Sequence, residues 1–423
     1  MKSSVTINAP SQSKLNHLLK SLGPGIMMAT AAVGGSHLVA STKAGAIFGW
    51  QLALLILLVN LLKYPFFRAG VTYTMGTGNS LIAGYAQMGK GYLWLFTLLS
   101  GISAVINTAA LTIFSASLLG IFLPFDLSLP VLSGIVIVAC LLILLRGHYK
   151  ALDLLSKVIM AVLTVTTLIA VVMAANQVQA VPADFDAPSA WSIASIGFIV
   201  ITMGWMPAPI EISCLTSLWL KRQCQEIKVT NQSALFDFNV GYISTALLAI
   251  VFLALGALVL HGQTDSIEKS GIAFSHQLVG MYASTIGEWS RLLIAVVAFG
   301  CIFGSTITVI DGYARALTEA KGLLQNSKPV QVDSHNVWML GISSCAMAVI
   351  IFFVSSLMAM LNFAMVLAFM TTPIFALLNY KLMNSSNLPK GLALTKKMKL
   401  LSWLGLTYLF GFLLLFIWWK WIM

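Results

Sequence analysis

Long apolar runs, separated by short polar segments, fill the sequence from residue 23 onward. A helix needs about 20 residues to cross the hydrocarbon core of a bilayer, and eleven runs are close to or above that length, with only 130–146 at the short limit. The runs are 23–48, 50–72, 92–123, 130–146, 151–174, 191–219, 238–260, 287–314, 336–356, 358–380 and 400–419. The pattern predicts eleven membrane-spanning helices, numbered here as spans 1 to 11.

The composition agrees with an all-α polytopic membrane protein. Of 423 residues, 59% are hydrophobic and only 9% are charged, whereas soluble globular proteins carry about 25% charged residues. The five cysteines form no CxxC pair, so neither a disulfide framework nor a zinc site is expected.

The distribution of basic residues predicts the orientation. With the N-terminus in the cytoplasm and eleven crossings, only four of the 24 Lys and Arg residues fall outside, namely Lys43, Lys269, Arg291 and Lys420. Because basic residues concentrate on the cytoplasmic side, we expect an inner (plasma) membrane protein with a cytoplasmic tail over 1–22 and an external C-terminus. The net charge of +11 is scattered singly between apolar runs, so no nucleic-acid partner is expected.

Several functional classes are disfavoured. The polar segments are too short for a soluble domain, and no GxxxxGK[ST] motif is present, which argues against ATP-driven transport. No nucleophile–base pair or metal triad suggests an enzyme. A secondary transporter or a channel remains, and a non-transporting receptor or scaffold is the alternative from another class.

Two spans are interrupted at membrane depth. In span 1 the segment 34–37 (Gly-Gly-Ser-His) follows Val33, and in span 6 Pro207 and Pro209 interrupt the run before Glu211. Proline removes a backbone donor, and unpaired backbone in a bilayer occurs where it is buried in protein or lines a cavity. Breaks five spans apart indicate an inverted-repeat transporter with a site at the midplane.

These residues resemble the Nramp family of divalent-metal transporters. The likeness rests on Gly23-Pro24, the break after Val33, Ala44-Gly45-Ala46 with Phe48-Gly49, Gly76-Thr77-Gly78 and Met206-Pro207. It implies the LeuT fold with alternating access: a first repeat of spans 1–5 (23–174), an inverted second repeat of spans 6–10 (191–383) and an added helix 11 (400–423).

The chain departs from that family where the metal would bind. The family's Asp-Pro-Gly-Asn corresponds here to Gly34, Gly35, Ser36 and His37. Its metal-binding methionine is kept as Met206, but the histidine two residues later is Ala208. The scaffold is therefore expected without its metal chemistry.

Without an acidic ligand, the half-helix that begins after the break favours a negative charge. We expect a small anion or carboxylate, for example bicarbonate, as the substrate. The expected substrate site is Gly34, Gly35, Ser36, His37, Met203, Trp205, Met206, Pro207, Ala208 and Glu211.

The coupling ion is expected to be Na⁺ or H⁺, with no cofactor. Gly304-Ser305-Thr306 in span 8 resembles the hydroxyl pair that forms a sodium site with span 1 carbonyls in LeuT-like carriers, which gives Val33, Ser305 and Thr306 as a sodium site. Small ions and the lipid bilayer are the expected partners, and the protein is expected to be a monomer.

The alternative keeps the family's activity as a proton-coupled Mn²⁺ or Mg²⁺ carrier. Its ligands would be His37, Met206 and Glu211. Lys63, in span 2, could pair with Glu211, serve as an anion's counter-charge, or extend toward the inner surface. Asp311 and Arg315 are four residues apart in span 8 and are predicted to form a structural ion pair.

Overall fold

The structure is a computed structural model that describes residues 21–146, 149–176, 185–262, 271–325, 332–353 and 357–422. Within these residues the chain is helical, with turns and short connections and no strand. The predicted tail over 1–22, except its last two positions, and Lys269 lie outside the described residues.

Eleven spans follow one another in these ranges, and two of them are broken. Span 1 consists of half 1a (Pro24–Ala32) and half 1b, which is the π-helical Ser36–Ser41 continued by Thr42–Phe48. Span 6 consists of half 6a (Ile196–Trp205) and half 6b (Ile212–Glu226). The others are span 2 (Ala53–Thr77), span 3 (Lys90–Leu119), span 4 (Leu129–Leu145), span 5 (Tyr149–Asn176), span 7 (Asn231–Val259), span 8 (Arg291–Leu324), span 9 (Val332–Phe353), span 10 (Leu357–Ser385) and span 11 (Lys396–Trp421).

This arrangement confirms the all-α fold with broken helices 1 and 6. Seven described helices are long and apolar enough to cross a bilayer, and shorter apolar helices account for spans 4, 5 and half 6a. Two short helices, Leu81–Met88 and Gly271–Ile286, were not predicted. Large apolar side chains such as Leu54 and Leu98 are more than 60% exposed, as expected for surfaces that face lipid.

Half 1a is anchored to span 7. Pro24 occupies the first turn, where its missing N–H costs nothing. The Asp237 carboxylate accepts hydrogen bonds from Gly23 N–H at 2.9 Å and Gly25 N–H at 2.6 Å. Gly25 also permits close backbone approach, since a Cβ there would lie 2.2 Å from the Asp237 carbonyl oxygen. Small residues of this kind let helices pack closely in membranes.

Half 6a ends against span 2. Neither Pro207 nor Pro209 can donate to a carbonyl of the preceding turn, and the Lys63 ammonium supplies donors instead. Its Nζ donates to the Met203 carbonyl at 2.7 Å and the Gly204 carbonyl at 3.3 Å. Of the three alternatives for Lys63, extension toward the inner surface is therefore wrong: the side chain is 1% exposed and lies at the break.

Candidate functional site

The two breaks meet at a small cavity. The cavity volume open to water is about 30 Å³. One water molecule needs at least about 10–15 Å³ by this measure, so the cavity is large enough to hold water. Five of the expected site residues line the cavity, namely Gly34, Gly35, Ser36, Trp205 and Ala208. Spans 3 and 8 also line the cavity, through Asn107, Leu111, Val309 and Tyr313. These four residues were not predicted as site residues. The lining carries no charged side chain.

The start of half 1b offers hydrogen-bond donors to this cavity. The N–H groups of His37 and Leu38 already donate to the Gly34 carbonyl, at 3.2 and 3.0 Å. By the usual geometry of a helix start, the N–H groups of Gly35 and Ser36 have no acceptor within the helix. Both residues line the cavity, so the positive end of the half-helix lies at the cavity wall.

Trp205 closes the cavity over Gly35. A Cβ on Gly35 would lie 2.5 Å from Trp205 Cζ3, so the indole packs directly on the glycine. The indole Nε1 is buried and has no hydrogen-bond partner among the described residues. An indole N–H is a donor only, and a buried donor without an acceptor is costly. An acceptor in the cavity would satisfy it.

His37 lies in the break, but its ring faces span 7. Nε2 is 2.9 Å from the Thr245 carbonyl, to which it must donate, and Nδ1 is 2.6 Å from Ser36 Oγ. The ring also makes an edge contact with Phe252. Both ring nitrogens therefore have protein partners, and His37 is not among the cavity-lining residues. Its role here is to hold the break against span 7.

Four other expected site residues also lie outside the cavity lining: Met203, Met206, Pro207 and Glu211. Met206 is fully buried, with its sulfur 3.8 Å from Ser41 Oγ. No group of three or more His, Cys, Asp or Glu side chains that could hold a metal occurs among the described residues.

Glu211 connects to the cavity through a tyrosine. The Tyr313 hydroxyl donates to Glu211 Oε1, and Asn107 Nδ2 donates to the Tyr313 oxygen at 3.0 Å. Glu211 is 1% exposed, and its Oε2 has no partner in the described part of the chain. One signal for this network is visible in the sequence, since Asn107 is a polar residue inside an apolar run.

The end of half 1a gathers oxygen atoms. Ser305 Oγ lies 2.7 Å from the Thr30 carbonyl, 3.4 Å from the Val33 carbonyl and 3.0 Å from the Cys301 carbonyl. The expected sodium ligands Val33 and Ser305 are therefore together. Thr306 instead donates to the carbonyl four residues earlier, and its hydroxyl is 3.0 Å from Ser115 Oγ of span 3.

The ion pair predicted in span 8 is present. Arg315 donates to both carboxylate oxygens of Asp311, at 2.7 and 2.8 Å. His335 Nε2 of span 9 lies 3.4 Å from the same carboxylate. These residues do not line the cavity, which agrees with a structural role.

Comparisons with known proteins agree on one family and fold. The family model "Natural resistance-associated macrophage protein-like" (Nramp) matches residues 25–419. The uncharacterized protein PM0681 of Pasteurella multocida is 50% identical over 400 residues, which cover 94% of this chain and 91% of the relative. A variant of the Eremococcus coleocola manganese transporter has a TM-score of 0.70 at 16% identity, covering 97% of this chain and 89% of that chain.

A more distant structure has the same architecture. MHP1, a nucleobase-cation-symport-1 family transporter in a closed conformation with bromovinylhydantoin bound, gives a TM-score of 0.58 at 12% identity. The match covers 85% of this chain and 77% of MHP1. These likenesses confirm the LeuT-type fold that the resemblance to the Nramp family implied.

Proposed function

This chain belongs to the Nramp family of secondary transporters, and we propose that its substrate is a small anion or carboxylate of about the size of bicarbonate. Transport proceeds by alternating access, with Na⁺ as the coupling ion. The observation that carries the proposal is the cavity at the two breaks, whose described lining includes Gly35, Ser36 and Trp205 and has no carboxylate, imidazole or thioether side chain.

The cost of burying charge argues against a divalent cation in this cavity. Hard cations such as Mn²⁺ and Mg²⁺ favour anionic oxygen ligands, and an uncompensated ion in a low-dielectric site is very costly. Glu211 does not line the cavity and is linked to it through the hydrogen bond from Tyr313, which does. An anion would instead accept from the amides of Gly35 and Ser36 and from Trp205 Nε1.

The other half-helix ends are already engaged. The first N–H groups of half 6b bond locally, with Ile212 N–H to the Pro209 carbonyl at 3.1 Å and Ser213 N–H to the Ile210 carbonyl at 2.9 Å. The carbonyl end of half 6a is engaged by Lys63. The N-terminus of half 1b is therefore the positive helix end that we propose for the ligand. In LeuT-fold carriers, half-helix N-termini bind substrate carboxylates in the same way.

The oxygen cluster at the end of half 1a supports sodium coupling. Carbonyl and hydroxyl oxygens suit Na⁺, and unwound carbonyls hold coupling ions in this fold. We propose the Thr30, Val33 and Cys301 carbonyls with Ser305 Oγ as the sodium ligands. Thr306, which pairs with Ser115, is excluded from this set.

The alternative is a proton-coupled divalent-metal carrier, which the family model and the manganese transporter structures favour. It would need His37, Met206 and Glu211 to move into one site. Each is now held by another residue: Thr245 for His37, Ser41 for Met206 and Tyr313 for Glu211.

Calorimetric titration of the purified protein separates these functions. Bicarbonate and formate are titrated with and without Na⁺, and Mn²⁺ and Mg²⁺ are titrated in parallel. We expect anion binding that Na⁺ strengthens and no metal response. Metal binding without any anion response would refute the anion proposal and establish the alternative.

A variant tests whether anions bind at half 1b. Ser36→Pro removes one cavity amide donor, whereas Ser36→Ala keeps it and serves as the matched control. Proline is tolerated in the first turn of a helix, so the fold should survive. We expect weaker formate binding for the proline variant alone.

We also propose a monomer with its N-terminus in the cytoplasm and its C-terminus outside. The distribution of Lys and Arg residues supports this orientation. A cysteine accessibility assay on intact cells, with cysteines placed at residues 10 and 423, should label only the latter.

A further inference from the structure

Lys63 is a buried cation in the middle of a membrane-spanning helix. Its ammonium donates to the Met203 and Gly204 carbonyls, and the side chain is among the largest that are fully buried. No carboxylate partner for Lys63 occurs in the described ranges. A charged group at this depth is costly and usually marks a functional site.

The position of this charge relates it to the substrate cavity. The two carbonyls that it contacts directly precede Trp205, whose indole lines the cavity and covers Gly35. The Lys63 ammonium thus lies at the end of half 6a, against the two residues that directly precede the cavity-lining Trp205.

With its ammonium charged, Lys63 makes the balance of charge at this end of half 6a positive. The carbonyl end of a helix is equivalent to about half a negative charge, whereas the ammonium carries a full positive charge. The ammonium charge minus the half negative charge of the helix end therefore leaves about half a positive charge near the cavity. A charge buried in protein is screened less than one in bulk water, so it acts more strongly on its neighbours.

We propose that Lys63 is the specificity-determining residue that makes this cavity select anions over neutral and cationic solutes. This inference rests on the proposed function. Lys63 acts as a positioning residue: it does not touch the substrate, and it sets the charge of the broken span against which the substrate binds.

A merely structural role for Lys63 would give a different result. If it only terminated half 6a, its removal would weaken every ligand alike, because the cavity would lose its shape. If it supplies the charge, its removal would weaken anions selectively. Formate and formamide separate these outcomes, since they are planar and similar in size but differ in charge.

The experiment measures the affinity of full-length protein for formate and formamide. Lys63→Gln keeps a donor for the carbonyls and removes the charge, Lys63→Met keeps the chain length without either, and Lys63→Arg keeps both. Tyr242→Phe is the control for a loosened span 2, because it removes the 2.6 Å hydrogen bond from the Tyr242 hydroxyl to the Asn60 carbonyl without changing charge.

We expect Lys63→Gln and Lys63→Met to weaken formate by at least about tenfold while formamide changes by less than about threefold. Lys63→Arg and Tyr242→Phe should keep the wild-type preference. Equal losses for both ligands, or an unchanged preference in the uncharged variants, would overturn the role of Lys63 alone. Failure of wild-type protein to bind formate or bicarbonate would overturn the proposed function, and Lys63 selectivity with it.

Discussion

Replacing Gly35 with alanine tests the contact between the two breaks. A Cβ at this position would lie 2.5 Å from Trp205 Cζ3 and 3.3 Å from Cε3, and Leu361 Cδ2 is a further 3.4 Å neighbour. The backbone of Gly35 is right-handed helical, with φ −57° and ψ −30°, so alanine itself would not be strained there. The glycine is required by the indole, not by the chain conformation.

The size of the effect follows from where the indole can go. Trp205 is 5% exposed, so relieving the overlap must displace the ring within a packed core. Overpacking of this kind costs about 1–3 kcal/mol. If that cost falls on the arrangement that binds substrate, anion affinity decreases by about 5- to 150-fold, at 1.4 kcal/mol for each tenfold change.

The assay is calorimetric affinity for bicarbonate, together with thermal unfolding in detergent. Gly101→Ala is the matched control, because a Cβ there meets nothing within 4 Å in the same membrane region. It should bind normally and gain slightly in stability from better helix propensity. Gly35→Ala with wild-type affinity would refute the packing of Trp205 on half 1b as part of the site.

A second variant tests the cause. Trp205→Phe removes the overlapping ring but also the Nε1 donor, so the double variant Gly35→Ala/Trp205→Phe should lose less affinity than the sum of the two single losses. Residues in contact show non-additive effects of this kind. Strictly additive losses would mean that the two positions act independently.

Three further changes test the coupling site, the buried acid and the anchor of half 1a. Ser305→Ala should weaken Na⁺ stimulation of anion binding by about tenfold, because it deletes a hydroxyl ligand, whereas Thr306→Ala should leave Na⁺ stimulation intact; equal losses would contradict the assignment. Glu211→Gln should preserve anion uptake within about threefold, because Glu211 does not line the cavity and is linked to it through Tyr313, and abolished uptake would count against this. Asp237→Ala should lower the thermal unfolding temperature, at a cost of about 0.5–2 kcal/mol for the lost cap, and an unchanged melting curve would show that the cap contributes nothing.

The two breaks could be located from sequence because their causes are local. Gly34 and Gly35 weaken a helix by themselves, and Pro207 and Pro209 remove donors whatever surrounds them. The observed halves end at Ala32 and Trp205, close to the expected positions. Span number followed equally directly from the apolar runs, since a bilayer fixes the length of each crossing.

The residues that line the cavity were harder to predict from the sequence, because the lining depends on contacts between distant segments. Asn107 and Tyr313 belong to spans 3 and 8, and no local pattern aligns them with half 1b. His37 was correctly placed in the break, but the direction of its ring depends on the Thr245 carbonyl, more than two hundred residues away. Position along a helix predicted depth, while side-chain direction required the fold.

In this protein, family membership therefore indicates the fold more firmly than it indicates the substrate. At 16% identity the chain keeps the architecture of a manganese transporter. Helix lengths, close glycine contacts and helix breaks can be kept while most other positions change. A substrate responds to a few atoms: with Gly34 where the family has its metal-binding aspartate, the cavity loses the negative charge that a divalent cation needs. The same break places Gly35 and Ser36 at the start of half 1b, and in our proposal their amides and the charge of Lys63 favour an anion. Since a fold can host unrelated functions, the charge of this break is a stronger guide to the substrate than the family's name.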